Sequence, residues 1–200
     1  MKIPEYYIKK IVAPACENDE RIISAFLKCP RNRFIDEAMQ RLSFDDNALP
    51  IGYGQTISKP STVAYMTYLL SVSEEDIVLE IGTGSGFQCG ILASLAKFVY
   101  TVERIPQLSY RASLTLKKMH FKNIQFKVDN GHIGWEEFAP YDKIIATASS
   151  DEIPENLLIQ LKIGGRLVIP IKDRIKIIDK LEDGIDIKDG ENCRFVEFVK

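Results

Sequence analysis

The chain reads as an α/β protein with a mostly parallel sheet, and three observations carry that reading. From Ile77 onward, short apolar runs alternate with helical patterns, as in successive βαβ units. The first run, Asp76 to Ile81, empties into Gly82-Thr83-Gly84-Ser85-Gly86, with glycine at every second position, and a helical pattern follows at once. The next run, Phe98 to Val102, ends on the carboxylate of Glu103. Glycines in such a turn admit positive φ and let backbone approach a ligand, while the helix beyond offers its free N–H groups. An acid at the end of the second strand suits the two hydroxyls of a ribose. The spacing is Gly-x-Gly-x-Gly and not Gly-x-Gly-x-x-Gly, because Phe87 and Gln88 follow Gly86, which argues against a dinucleotide-dependent dehydrogenase. The pattern describes a nucleoside site.

The remaining elements follow in order. Glu20 to Leu27 and Arg33 to Gln40 have helical patterns, so an N-terminal helical cap is expected. Asn47 to Gly54 reads as an extended, turn-rich loop. Ser58 is placed to cap a helix that runs to Leu70, with Pro60 in its first turn. Strands are expected near 76–81, 98–103, 123–129, 141–147 and 163–170, and helices near 86–96, 106–120 and 152–161. Pro106 and Pro154 sit where a missing N–H does no harm, at helix starts. Lys162 to Arg166 marks a helix stop and tight turn. Beyond Pro170, Ile175 to Ile178 and Phe195 to Val199 read as strands separated by a polar stretch, Glu182 to Asn192, which predicts an antiparallel edge. Residues 1–200 form one expected domain: helices and a substrate loop over 1–72, the core over 73–170, edge strands over 171–200.

Composition narrows the function. Two hundred residues, 46% hydrophobic and 27% charged, suffice for one sizeable core. A net charge of −2 gives no electrostatic footprint for nucleic acid or an anionic membrane, so neither partner is expected. Charges at Lys2, Glu5, Lys9 and Lys10 break any signal-like apolar run near the N-terminus, and no segment offers the ~18 apolar residues of a membrane span. A cytoplasmic location is expected. The four cysteines are widely spaced and read as reduced thiols, and the two histidines, twelve positions apart, offer no metal-ligand set.

Several further segments make a resemblance specific. Leu49-Pro50-Ile51-Gly52-Tyr53-Gly54-Gln55-Thr56-Ile57-Ser58-Lys59-Pro60, Leu79 to Gln88, Val102-Glu103-Arg104-Ile105, Ala139 to Ala148 and Gln160 to Pro170 resemble, in order, the signature segments of protein-L-isoaspartate O-methyltransferases. Cys29-Pro30-Arg31-Asn32-Arg33-Phe34 is similar to that family's entry to the core, so the likeness spans roughly residues 20 to 170. The resemblance implies a Rossmann-like class I methyltransferase, a three-layer α/β/α sandwich using S-adenosylmethionine. It also implies methylation of the free α-carboxylate of L-isoaspartyl residues in damaged proteins, with no metal and a monomeric chain.

By the same resemblance, Gly82, Thr83, Gly84, Ser85 and Gly86 form the cofactor loop, Glu80 orients it, and Glu103 with Arg104 meets the ribose. Asn130, where the family carries aspartate, and Gly131 fall at the adenine; the segment here is Asp129-Asn130-Gly131 instead of Gly-Asp-Gly. Ser58 and Thr56 are the catalytic candidates, with Ile57, Gln55 and Tyr53 lining the acceptor side. Trp135 is open between an adenine contact and a buried anchor, and Asp46 between fixing the loop and meeting the acceptor, with the loop favoured. An ionised carboxylate needs no general base, which agrees with the lack of a catalytic histidine or Cys/His pair. Phe87 stands where tyrosine is usual, and the C-terminal third is divergent. Two alternatives remain at this point: a class I methyltransferase with another carboxylate or small acceptor, and a non-catalytic cofactor-binding homologue.

Overall fold

Seven strands build the main sheet of the computed structural model, which describes residues 2–197. β3 (Ile77–Ile81), β4 (Phe98–Glu103) and β5 (Ile124–Val128) run parallel, and the chain then returns to lay β6 (Tyr141–Ala146) on the other side of β3. β7 (Leu161–Ile171) follows parallel to β6, and β8 (Arg174–Leu181) and β9 (Gly184–Asn192) close the sheet antiparallel, giving the order β5-β4-β3-β6-β7-β8-β9. The reversal of winding between β3 and β6 opens a crevice at the carboxyl ends of these two strands, where open α/β sheets take their ligands.

Both faces of the sheet are covered, so the inner strands are apolar on both sides. Val78, Val99, Ile145 and Val168 point into one core, shared with α2 (Glu20–Lys28), α3 (Pro60–Leu70), α4 (Phe87–Ala93) and α5 (Pro106–Lys118). The alternate residues Leu79, Ile144, Leu167 and Ile169 enter the second, with Trp135 and Leu157 of α6 (Glu155–Gln160). All seven residues of α4 are buried, because it is wedged between the sheet and the N-terminal segment. Phe87 meets Phe26 and Phe34 at ring-centroid distances of 5.6 and 5.4 Å, an apolar cluster with no use for a tyrosine hydroxyl.

Several segments differ from the sequence reading. Residues 33–40 are not a continuous helix: 3₁₀ turns cover Arg31–Arg33 and Glu37–Leu42. Tyr7–Val12 winds as a π-helix running into the short α1 (Ala13–Ala15). The expected loop at 47–54 belongs to a separate hairpin, β1 (Leu49–Gly52) with β2 (Gln55–Ile57), turned at Tyr53 and Gly54 in positive φ. Helix α6 stops at Gln160 and β7 starts on the next residue, so Lys162 to Arg166 is already strand, with a register break against β6. The polar stretch taken for a connector is strand β9. A two-residue turn at Glu182 and Asp183 folds it onto β8, and Asp189 pairs with Arg174 and Lys176. Phe195 and Val196 lie outside regular structure, Glu197 makes one bridge with Ser149, and the rest of the expected strand lies outside the described residues.

Candidate active site

Two cavities meet at the carboxyl ends of β3 and β6. The first, of about 890 Å³ counted to its open mouth, is within the size range of small-ligand sites. Gln55, Thr56, Ile57 and Ser58 approach it from the β1–β2 hairpin, Gly82 to Ser85 from the turn after β3, and Glu103 and Arg104 from the end of β4. Gly131 completes the set of sequence-predicted residues that line it. The second cavity, about 1520 Å³ on the same measure, lies beside the first and shares six lining residues with it, among them Thr56, Ser58 and Thr147.

The glycine turn is built by close approach. Gly82 has φ +93°, and a Cβ there would sit 2.4 Å from the Thr147 hydroxyl, which donates to the Gly82 carbonyl at 2.7 Å. Thr147 N–H donates to the Ile81 carbonyl at 2.9 Å, so the end of β6 is laced to the end of β3. Gly86 has φ +87° and packs on Ala112 and Leu116 of α5, which makes it structural and removes it from the cavity wall. Gly84, also at positive φ, would meet only Ile51 Cδ1, at 3.6 Å, so the inner side of the turn is open to a ligand.

Glu103 is buried and holds the turn: Oε2 accepts from Gly84 N–H at 2.8 Å and Oε1 from Ile105 N–H at 2.9 Å. Each carboxylate oxygen has a second lone pair left for a hydroxyl donor. Glu80 lies behind the cavity and does not line it. Its Oε2 accepts from the Thr101 hydroxyl at 2.6 Å, and that hydroxyl meets Thr83 Oγ1 at 2.5 Å, so Glu80 reaches the turn through Thr101. Burial pushes the Glu80 carboxyl up to about 8, and its Oε1 has no partner in hydrogen-bond geometry.

Besides Glu80 and Gly86, two sequence-predicted residues fall outside the cavity lining, and Ser58, which lines both cavities, is not where a helix cap would be. Asn130 does not line either cavity: its side-chain oxygen accepts from His132 N–H at 3.0 Å and caps the 3₁₀ turn Gly131–Ile133. Tyr53 sits at the hairpin tip, 55% exposed, because that tight turn needs its positive φ and carries the ring away. Ser58 is not the helix cap. Lys59 holds the cap position, and the free Ser61 N–H and hydroxyl are taken by the Asp46 carboxylate at 2.9 and 2.8 Å. Asp46 thus fixes the loop, and Trp135 is a buried anchor whose carbonyl accepts from the Tyr141 hydroxyl.

The least legible part is Arg31. It is wholly buried, and its guanidinium donates to five carbonyls: Ser43, Asp45, Asn47, Ile57 and Ser58, at 2.7–3.4 Å. It ties the segment before β1 to the end of β2 and so holds Ser58 from behind while Asp46 holds Ser61. Arg111 adds a bond from α5 to the Ile51 carbonyl at 3.2 Å. Thr147 follows a strand at the switch point and was findable from topology, whereas Phe195 and Val196, which also line both cavities, carried no signal in the sequence.

Among the described residues no cluster of His, Cys, Asp and Glu is arranged to hold a metal, and no helix is long and apolar enough to cross a membrane. Comparison with known proteins gives a consistent assignment. The family model described as Protein-L-isoaspartate(D-aspartate) O-methyltransferase matches residues 5–200. A protein-L-isoaspartate O-methyltransferase of Geobacter metallireducens is 50% identical over 186 residues, covering 90% of this chain and 86% of the relative. One of Dictyoglomus thermophilum is 49% identical over 176 residues, covering 86% and 80%. A solved protein-L-isoaspartate O-methyltransferase superposes with a TM-score of 0.85 at 25% identity, covering 95% of this chain and 65% of that longer one. A Plasmodium falciparum protein described under the same activity, solved with S-adenosyl-L-homocysteine, shares the fold at TM-score 0.85 and 23% identity, with 96% of each chain covered. With the family model matching nearly its whole length, and relatives near half identical, this chain belongs to the protein-L-isoaspartate(D-aspartate) O-methyltransferase family.

Proposed function

We propose that this chain methylates the free α-carboxylate of L-isoaspartyl residues in damaged proteins, using S-adenosylmethionine, and so starts their return to aspartate through a succinimide. The observation that carries this reading is the pair of cavities joined at Thr56 and Ser58, one walled by the glycine turn and Glu103, the other open to a larger acceptor. The cofactor supplies a methyl group on a sulfonium, an electrophile with a neutral leaving group. The residues present fit it. The open inner side of Gly84 admits a ligand against backbone, and Glu103 keeps lone pairs for two vicinal hydroxyls. Arg104 and Gly131 border the same cavity, and Glu80 stiffens the turn from behind through Thr101 and Thr83.

The acceptor needs no base. An α-carboxyl group has a pKa of about 3.3–3.7 and is an anion at neutral pH. What remains is alignment: holding the carboxylate oxygen in line with the methyl–sulfur bond is where the protein earns its rate. Ser58 and Thr56 present hydroxyls at the junction of the cavities, Ile57 and Gln55 shape its wall, and Arg31 and Asp46 hold the loop they stand on. We also infer a single cooperatively folding domain, monomeric and cytoplasmic, with isoaspartyl peptides and proteins as partners and no affinity for nucleic acid or membrane.

The test is methyl transfer from radiolabelled cofactor to matched peptides containing isoaspartate or normal aspartate, with Ser58→Ala beside the native chain. Base-labile label on the isoaspartyl peptide alone, reduced in the variant, is expected. Cofactor binding with no label on either peptide would refute the repair reading and move the activity to another acceptor.

A further inference from the structure

The second cavity carries a charge pattern that the reaction chemistry has not used. Four charged side chains line it: Lys59, Arg194, Asp173 and Glu191. Lys59 adjoins Ser58 in sequence, and Arg194 adjoins Phe195 and Val196; Ser58, Phe195 and Val196 line both cavities. The two cations therefore flank the junction where the acceptor must meet the cofactor. The acids of this wall, and Glu197 of the first cavity, form no ion pair with these cations among the described residues. Glu191 N–H donates to the Tyr65 hydroxyl at 3.2 Å, and Tyr65 is five residues into α3, about 8 Å along the helix from Pro60. Asp173 sits in the turn between β7 and β8, its carbonyl taking the Cys193 N–H at 2.7 Å.

Neither cation has a side-chain hydrogen bond or ion pair among the described residues, although ten ion pairs engage other charges of the chain. Two exposed cations, uncommitted and facing one groove, leave positive charge beside the junction. The anionic group that comes there in the proposed reaction is the carboxylate to be methylated.

We propose that Lys59 and Arg194 are specificity-determining residues that recognise the free carboxylate of the acceptor, so that the groove distinguishes an ionised isoaspartyl residue from its amide. This rests on the acceptor assignment made above. The pair acts on binding and not on the transfer itself. A cation bonded to the reacting oxygen draws off its electron density, so the contact that lowers KM does not raise kcat. A charge-assisted hydrogen bond contributes more than a neutral one, and solvent exposure reduces the gain. Each cation is accordingly expected to change KM by about 5- to 10-fold, just below the charged hydrogen-bond range because of that exposure.

The experiment measures kcat and KM for one isoaspartyl peptide with the native chain, Lys59→Gln, Arg194→Gln and the double variant. It also measures inhibition by the same peptide carrying the amide in place of the free carboxylate, and binding of S-adenosyl-L-homocysteine by calorimetry. The expected result is a higher KM in each single variant, a larger rise in the double, and kcat within about twofold. Amide inhibition and cofactor-product binding should not move. An unchanged KM overturns the proposal, as does a KM rise matched by equal loss of amide binding, which would mean simple loss of packing. If the native chain methylates the peptide and only the variants behave as wild type, this inference alone falls. If the native chain does not methylate it, the acceptor assignment falls and takes this inference with it.

Discussion

Replacing Arg31 by lysine should separate the acceptor loop from the rest of the machinery. The guanidinium serves five carbonyls drawn from two segments, while an ammonium has three donors at a single point and a shorter reach. At least two of these carbonyls then lose their donor in a site where Arg31 itself is wholly buried. An unsatisfied buried polar group costs about 1–3 kcal/mol, so the variant should be less stable by about 2–6 kcal/mol. With a urea slope of about 2–3 kcal/mol/M, the midpoint falls by about 0.7–3 M, and a domain in the upper part of the usual range of about 5–15 kcal/mol stays folded at 25 °C. The larger effect is on function. The carbonyls of Ile57 and Ser58 are two of the five that share the remaining donors, and a displacement near 1 Å at a reacting site costs about 100-fold in rate. The glycine turn and Glu103 are held by other contacts, so binding of S-adenosyl-L-homocysteine by calorimetry should stay within about twofold. Methyl transfer, urea unfolding and calorimetry on the one variant decide the matter. A variant with unchanged urea midpoint and unchanged kcat/KM would refute the argument, as would one that loses cofactor-product affinity as much as it loses acceptor turnover.

Three other outcomes follow from the geometry. Gly82→Ala should lose at least about tenfold in cofactor affinity and about 2–4 kcal/mol in stability, since its Cβ would lie 2.4 Å from Thr147 Oγ1 at a φ of +93°. Adding Thr147→Ala should recover part of that stability, and a thermal-shift series reads both. Glu80 binds its proton more tightly folded than unfolded, since burial raises its carboxyl from 4.5 to about 8. Its contribution is therefore complete below about pH 4.5 and is lost as pH rises towards and through 8, and Glu80→Gln should flatten the fall in urea midpoint between pH 6 and pH 9. Glu103→Gln removes one acceptor from the Gly84 and Ile105 N–H groups, and calorimetry should show cofactor affinity lowered about 10- to 100-fold with the far-UV circular dichroism unchanged.

Much of this protein was legible from residue order alone. The run Ile77 to Gly86 dictates a buried strand and a turn that needs positive φ, and Glu103 falls where the next strand ends, because these are local consequences of backbone sterics and side-chain period. The parallel strands and the antiparallel edge followed from the same periodicities. The failures have one cause. Polarity made Gly184 to Asn192 look like a connector, yet pairing with β8 supplies the hydrogen bonds that its own residues do not advertise. Asn130 also closes its oxygen on the N–H two positions later, a contact with which the residue type alone is equally compatible. Which chain segment touches which was decided only in three dimensions. Arg31 reaches residues up to 27 positions away, and Thr147 closes on Gly82 from 65 positions away. The segment 194–196 lies against α3 across a groove that no spacing announces. Torsional preference and hydrophobic period are carried within a few residues of each position. The carbonyls that complete a buried guanidinium, or the cations that flank a cavity, belong to segments that meet only when the sheet has brought them together.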